Sequence, residues 1–188
     1  GSAKLSNSNP SFAMHFTTRP ELVGTFGMVS STHWLASAAG MAMLERGGNA
    51  FDAAVAAGMV LQVAEPHLNG PGGDLPLLLY PNTEQRVRVL CGQGTAPAQA
   101  TIAHYRSLGL DLVPGTGLLA TVVPGAFDAW MRLLQDYGTL RFEEVMEPAL
   151  HYAKNGVPVL PTVRDTIAQV QSLLATEWVS SAAVYLPH

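Results

Sequence analysis

Asn49 to Ala64, "NAFDAAVAAGMVLQVA", constrains the fold of this chain more than any other stretch. Asn49 stands three residues ahead of Asp52, which pairs an N-cap with an acid in the first helical turn, where the helix dipole favours negative charge. The helix opened this way is rich in small residues on every side. Alanine and glycine let backbones approach closely, so the helix is expected to be sandwiched between other elements. It is not a membrane span. The uncharged apolar stretch Ala53–Ala64 contains twelve residues, and crossing a bilayer takes about twenty.

The flanks fill in the layers. Upstream, "THWLASAAGMAMLERGGN" puts Leu35, Ala38, Ala39, Ala42 and Met43 on one helical face, with Gly47-Gly48 as a left-handed stop. Before it, Thr25–Ser31 leans towards β-structure. Residues 1–22 are polar and punctuated by proline, and are expected to form a loose arm, so the folded unit is residues 23–188. Gly1-Ser2 resembles the remnant of a removed tag, and the start has no apolar signal-peptide core. The compartment is left open between cytoplasm and periplasm. Downstream, Gly70, Pro71, Gly72 and Gly73 exclude helix, while Leu75–Tyr80 reads as a strand. With "PNTE" and "QRVRVL" it makes a β-hairpin, Val87 and Val89 sharing one face and Arg86 and Arg88 the other. Pro76 suits an edge or a bulged strand base.

Beyond the hairpin, a short helix is expected from Thr101 to Gly109 and a strand over Leu118–Val123. "AFDAWMRLLQDYG" is an amphipathic helix with Phe127, Trp130, Met131 and Leu134 in one stripe and Gly138 at its end. "RFEEVMEPALHYAKNG" is helical but kinked or split at Pro148, and a last helix begins at Pro161 or Thr162. Strands with paired helices between and after them give the α+β class.

Several chemistries are excluded. A net charge of −4 and a pI near 5.8, with no run of Lys and Arg, argue against binding nucleic acid. One cysteine, Cys91, permits no internal disulfide and reads as a small buried residue ending a strand. His15, His33, His67, His104, His151 and His188 are scattered with no metal-ligand spacing, so no metal and no cofactor are expected. His67, beside the glycines, is the one histidine of interest, and its plainer role is a hydrogen bond to local backbone. The glycine cluster follows a helix and precedes a strand, the inverse of a phosphate loop, and lacks its Lys and Ser/Thr. It reads as a tight, closely packed passage from helix to strand. No G-x-S-x-G elbow exists, and Thr17-Thr18 lie in the arm. A content of 48% hydrophobic against 13% charged residues suggests a surface meant for a missing partner.

"GMVSSTHWLASAAGMAMLERGGNAFDAAVAAGMVLQVAEPHLNGPGGD" resembles the amino-terminal signature of the gamma-glutamyltranspeptidase family, "G-G-N-A-x-D-A-A-V-A" being its most specific block. "TAPAQAT" at 95–101, "VPGAFDAW" with "YGTL" at 123–140, and "EPALHYAKNGVPV" at 147–159 extend the likeness across about Gly24 to Pro187. The resemblance implies an N-terminal-nucleophile hydrolase with an αββα sandwich. It implies a proenzyme that cleaves itself, so that a threonine at the new amino terminus attacks a γ-glutamyl amide. That threonine is expected downstream of residue 188, in a small subunit formed from the remainder of the same precursor. This chain would then be the amino-terminal part of the large subunit, holding no catalytic residue and inactive alone, and the substrate a small-molecule amide.

Two departures bear on that substrate. Where the family typically reads "G-R-E-T-A-P", this chain reads Gly92-Gln93-Gly94-Thr95-Ala96-Pro97. The resemblance makes position 93 the grip on the glutamyl α-carboxylate. Gln93 offers neutral hydrogen bonds and no guanidinium fork. Charge-assisted bonds contribute about 1.5–3 kcal/mol against about 1 for neutral ones, a loss of roughly tenfold or more in affinity. In the glycine loop, Pro71 stands where isoleucine is usual, and Asp74-Leu75-Pro76 where glycine and phenylalanine are. Rival readings are a same-family amidase or acylase for a non-glutamyl amide, and a non-catalytic binding scaffold. Gln93 is the expected substrate-binding residue, with the glycines running closely packed beneath the acyl pocket.

Overall fold

The structure is a computed structural model that describes residues 21–186. Most of the 1–22 arm, with His15 and Thr17-Thr18, lies outside the described residues, as does His188. The elements are helices α1 (Trp34–Glu45) and α2 (Ala50–Ala64), strands β1 (Leu75–Leu79) and β2 (Arg88–Gly92), then α3 (Ile102–Ser107), α4 (Ala126–Tyr137), α5 (Phe142–Asn155), α6 (Pro161–Gln169), α7 (Gln171–Thr176) and α8 (Val179–Tyr185).

α2 is the axis. Asn49 Oδ1 accepts from the Phe51 and Asp52 amides, and Asp52 Oδ2 accepts from Asn49 N at 2.8 Å, which closes a capping box. Val55, Ala56 and Val60 are fully buried and Met59 nearly so, because α1, α4 and α5 cover α2 from separate sides. Small residues make this possible. A methyl on Gly40 of α1 would come within 2.9 Å of the Ala53 carbonyl oxygen, and the Trp130 ring of α4 lies directly over Gly58. The sandwiched helix expected from the sequence is observed.

The two strands pair antiparallel with Leu75 opposite Gly92, Leu77 opposite Leu90 and Leu79 opposite Arg88. Leu77, Leu79 and Leu90 pack on the core. β2 begins only at Arg88, so Arg86 and Val87 lie outside it and the alternation is seen from Arg88 onward, with the valine on the outer face: Leu78 is 79% exposed and Val89 71%. Cys91 is exposed, not buried, because the inward positions of β2 fall on Leu90 and Gly92.

Other expectations need correction. Thr25–Ser31 forms no strand, and Leu118–Val123 is a 3₁₀ turn over Leu118–Ala120 followed by unpaired extended chain. Of the second segment, Val123 bonds to Thr95 beyond the end of β2, and the sheet stays two-stranded. Phe127 lies outside the buried stripe of α4, which runs through Ala126, Ala129, Leu133 and Leu134. On α1 the buried stripe takes Ala36 in place of Ala38. α5 continues through Pro148 as one helix, held by Val145 and Ala149 buried beneath it. The helix expected over residues 161–177 is instead two, α6 and α7, interrupted at Val170, and α8 follows beyond it after Trp178. Thr101 caps α3 through the His104 amide, and Gly109 closes it with φ +76°, both as expected.

Candidate functional site

Three segments distant in sequence meet at the inner end of the hairpin. The loop before β1 contributes the Gly73 carbonyl, which accepts from Gly125 N at 3.3 Å and Ala126 N at 3.1 Å at the start of α4. Strand β2 runs out through Gly92-Gln93-Gly94-Thr95, and the Thr95 carbonyl accepts from Val123 N at 2.9 Å. The segment Val123–Ala126 therefore bridges both. These backbones are crowded. A methyl on Gly125 would lie 2.5 Å from the Gly92 carbonyl oxygen, and one on Gly94 would overlap the Val123 carbonyl oxygen. Gly94 also holds φ +72°, which other residues adopt only at a cost.

The crowding is not where the sequence pointed. Gly70 and Gly72 have nothing within 4 Å of an added methyl, and neither has a left-handed φ. Of these glycines only Gly73 is constrained, since a methyl added there would lie 3.3 Å from the Gly70 carbonyl oxygen. The tight passage involves Gly92, Gly94 and Gly125, and the loop at 70–73 merely leads into it.

Gln93 stands between two of those glycines. Its backbone is fixed by β2 on one side and the Thr95–Val123 bond on the other, while its side chain is exposed. Its Oε1 lies 3.5 Å from Cys91 Sγ. It lines none of the four described cavities. His67 is half-buried in the wall of a cavity of about 310 Å³ beside α6, α7 and α8. Its Nδ1 is buried without a partner, so that nitrogen does not make the expected bond to local backbone. His33 is the histidine used locally. It is 1% exposed, and its Nδ1 accepts from Leu35 N at 3.1 Å as the N-cap of α1. A polar residue just ahead of the periodic run "WLASAAGMAM" was the available signal.

Among the described residues no group of three or more His, Cys, Asp and Glu could hold a metal ion. Three shifted groups lie elsewhere; one is Glu144 at the start of α5, whose carboxyl the Arg141 backbone bond holds below its ordinary range. The Arg88 hydrogen bond holds the Glu84 carboxyl below its ordinary range, and burial with the Glu84 bond raises the Tyr137 phenol. Both belong to the clamp between the hairpin tip and α4, where Tyr137 OH donates to Glu84 at 3.2 Å.

The gamma-glutamyltranspeptidase family profile matches residues 36–188. The chain belongs to the gamma-glutamyltranspeptidase family. It is 40% identical over 159 residues to the glutathione hydrolase-like YwrD proenzyme of Bacillus subtilis, a match covering 84% of this chain and 30% of that one. Its structure resembles that of the cephalosporin acylase from Bacillus halodurans, with a TM-score of 0.80 and 34% identity over 91% of this chain and 32% of the acylase. It also resembles the structure titled LmbA2991HD, with a TM-score of 0.86 and 61% identity over 92% of this chain and 30% of that chain. The α+β architecture is that of this family's N-terminal-nucleophile hydrolases. The chain spans about 30% of the length of these relatives. No described helix is long and apolar enough to cross a membrane.

Proposed function

We propose that this chain is the amino-terminal part of the large subunit of a gamma-glutamyltranspeptidase-like amide hydrolase or transferase. What carries the proposal is the family match over residues 36–188, in a chain as long as only the first third or so of relatives that are themselves proenzymes. The attacking threonine belongs to the part downstream of residue 188. Its hydroxyl adds to the amide carbonyl with its own α-amine as base, the oxyanion is held by preorganised donors, and the acyl-enzyme passes to water or an amine. This chain alone is inactive.

The remainder of the precursor is the proposed partner, and the exposed outer face of the hairpin, with Leu78 and Val89, supports it. Gln93 is proposed to line the acyl pocket. Its rigid setting between Gly92 and Gly94 supports a binding role, since both neighbours fix its backbone. Because Gln93 carries no charge, an acyl group without an α-carboxylate is the second reading, and the acylase among the structural relatives favours it.

The test is made on the full-length precursor. Self-cleavage should expose a new amino-terminal threonine, seen by gel and by sequencing of the small fragment. An uncleaved precursor with no activity on a panel of small amides would leave the non-catalytic scaffold. Gln93→Arg is expected to raise activity on γ-glutamyl anilides roughly tenfold, the difference between a charged and a neutral grip. An unchanged or lower rate removes Gln93 from the pocket.

A further inference from the structure

Two Asn-Gly pairs occur in this chain, Asn69-Gly70 and Asn155-Gly156. Asparagine before glycine is the pairing in which the next backbone nitrogen most readily attacks the side-chain amide, because glycine presents no side chain to hinder it. The structure gives the two pairs opposite settings. Asn155 is the last residue of α5, and Gly156 N donates to the Tyr152 carbonyl at 2.9 Å, so its nitrogen is already committed. Asn69 lies exposed in the loop Pro66–Gly73, and among the described residues Gly70 N donates no hydrogen bond. A methyl added at Gly70 would meet nothing within 4 Å.

The Asn69 side chain also does a job that conversion would abolish. Its Nδ2 donates to the Glu65 carbonyl at 3.0 Å and reaches the Leu61 carbonyl at 3.5 Å, tying the loop to the carboxyl end of α2. A carboxylate only accepts hydrogen bonds, and here it would face carbonyl oxygens at the negative end of a helix dipole. The buried Glu65, bonded to Thr32, adds a second acid at the same helix end.

We propose that Asn69 is a self-modifying site, converting to aspartate or isoaspartate through Gly70 and so releasing the Pro66–Gly73 loop from the end of α2. The Gly70 nitrogen loses its proton to solvent and bonds to Asn69 Cγ. The bond from Cγ to Nδ2 breaks, and that nitrogen takes up a proton and departs as ammonia. Water then opens the cyclic imide at one carbonyl or the other, giving aspartate or isoaspartate. Water is the sole co-reactant and no redox change occurs. The chemistry is independent of the amide-hydrolase reading.

The full-length precursor, held at mildly alkaline pH and sampled over time, is digested and mapped by mass spectrometry with chromatographic separation of isoaspartyl peptides. Asn69 is expected to convert roughly tenfold faster than Asn155, the factor that one net hydrogen bond on Gly156 N–H supports. Gly70→Ala slows conversion at Asn69, and the added methyl meets nothing within 4 Å. Hydrogen exchange over residues 65–73 should rise in the aged protein and equally in Asn69→Asp. Equal or faster conversion at Asn155 overturns the proposal. So does an intact Asn69 after a free peptide spanning the loop has converted, or Asn69→Asp with unchanged exchange.

Discussion

The turn joining α4 to α5 and the hairpin with its entry loop solve the same problem in opposite ways. The turn is finished within the chain. Asp52, fully buried in α2, accepts from Asn49 N, from Thr139 N at 3.0 Å and Oγ1 at 2.7 Å, and from Leu140 N at 3.1 Å. One carboxylate thus closes the start of a helix and locks a remote turn onto it. The hairpin is covered on one face by the core and leaves Leu78 and Val89 bare on the other. The first region is closed by its own polar groups, and the second keeps the uncovered apolar face that the proposed remainder of the precursor would cover.

The largest effect expected from breaking that contrast is at Asp52. Asp52→Ala strands the Asn49, Thr139 and Leu140 amides and should cost roughly 3 kcal/mol or more in denaturant unfolding of the full-length precursor. A loss below about 1 kcal/mol would show that the turn holds without it. Next comes the glycine junction. Gly94→Ala must place a methyl against the Val123 carbonyl at φ +72° and is expected to cost about 1–3 kcal/mol. Gly72→Ala, with open space and no left-handed φ, should stay within about 0.5 kcal/mol. Equal costs at the two positions would erase the distinction between junction and loop.

What could be read in advance follows the range of the interaction. The Asn49–Asp52 box, the Thr101 cap and the stops at Gly109 and Gly138 are settled within a few residues, and all are present. The alternation was legible only for the part of the run that became β2, and which face turns inward was not, because that depends on where α2 and α4 lie; Val89 came out on the exposed face. The glycines show the same limit. A cluster at 70–73 is conspicuous in composition, yet crowding arises where remote backbones meet, at Gly92, Gly94 and Gly125. The break at Val170, inside the helix expected over residues 161–177, was not legible because no local stop signal stands there. Gln93 was singled out by family resemblance alone, since an exposed glutamine carries no signal of its own.

The outer face offers a test of intermediate size. Leu78→Asn removes an apolar group that this chain leaves 79% exposed, so within residues 21–186 it should cost little. In the full-length precursor it should lower stability by about 1–2 kcal/mol if the remainder covers that face. An unchanged midpoint would mean that the hairpin faces solvent in the whole protein.

The smallest effect belongs to the hairpin tip. Glu84 accepts from Arg88 at 2.5 Å, from Arg86 at 3.3 Å and from Tyr137. The Arg88 bond leads in holding its carboxyl below the ordinary range. A carboxyl with a depressed folded value contributes stability that is fully present above its unfolded value and is lost as pH falls through the folded one. Acidification through the depressed Glu84 value should therefore loosen the tip, with hydrogen exchange over residues 82–88 rising. The ion pairs are exposed to solvent and salt, so the change is modest and weaker still at high ionic strength. Glu84→Gln should show the loosened exchange at neutral pH and no further acid response. If the variant kept the wild-type acid response, another carboxyl would be holding the tip, and the clamp to Tyr137 would be incidental.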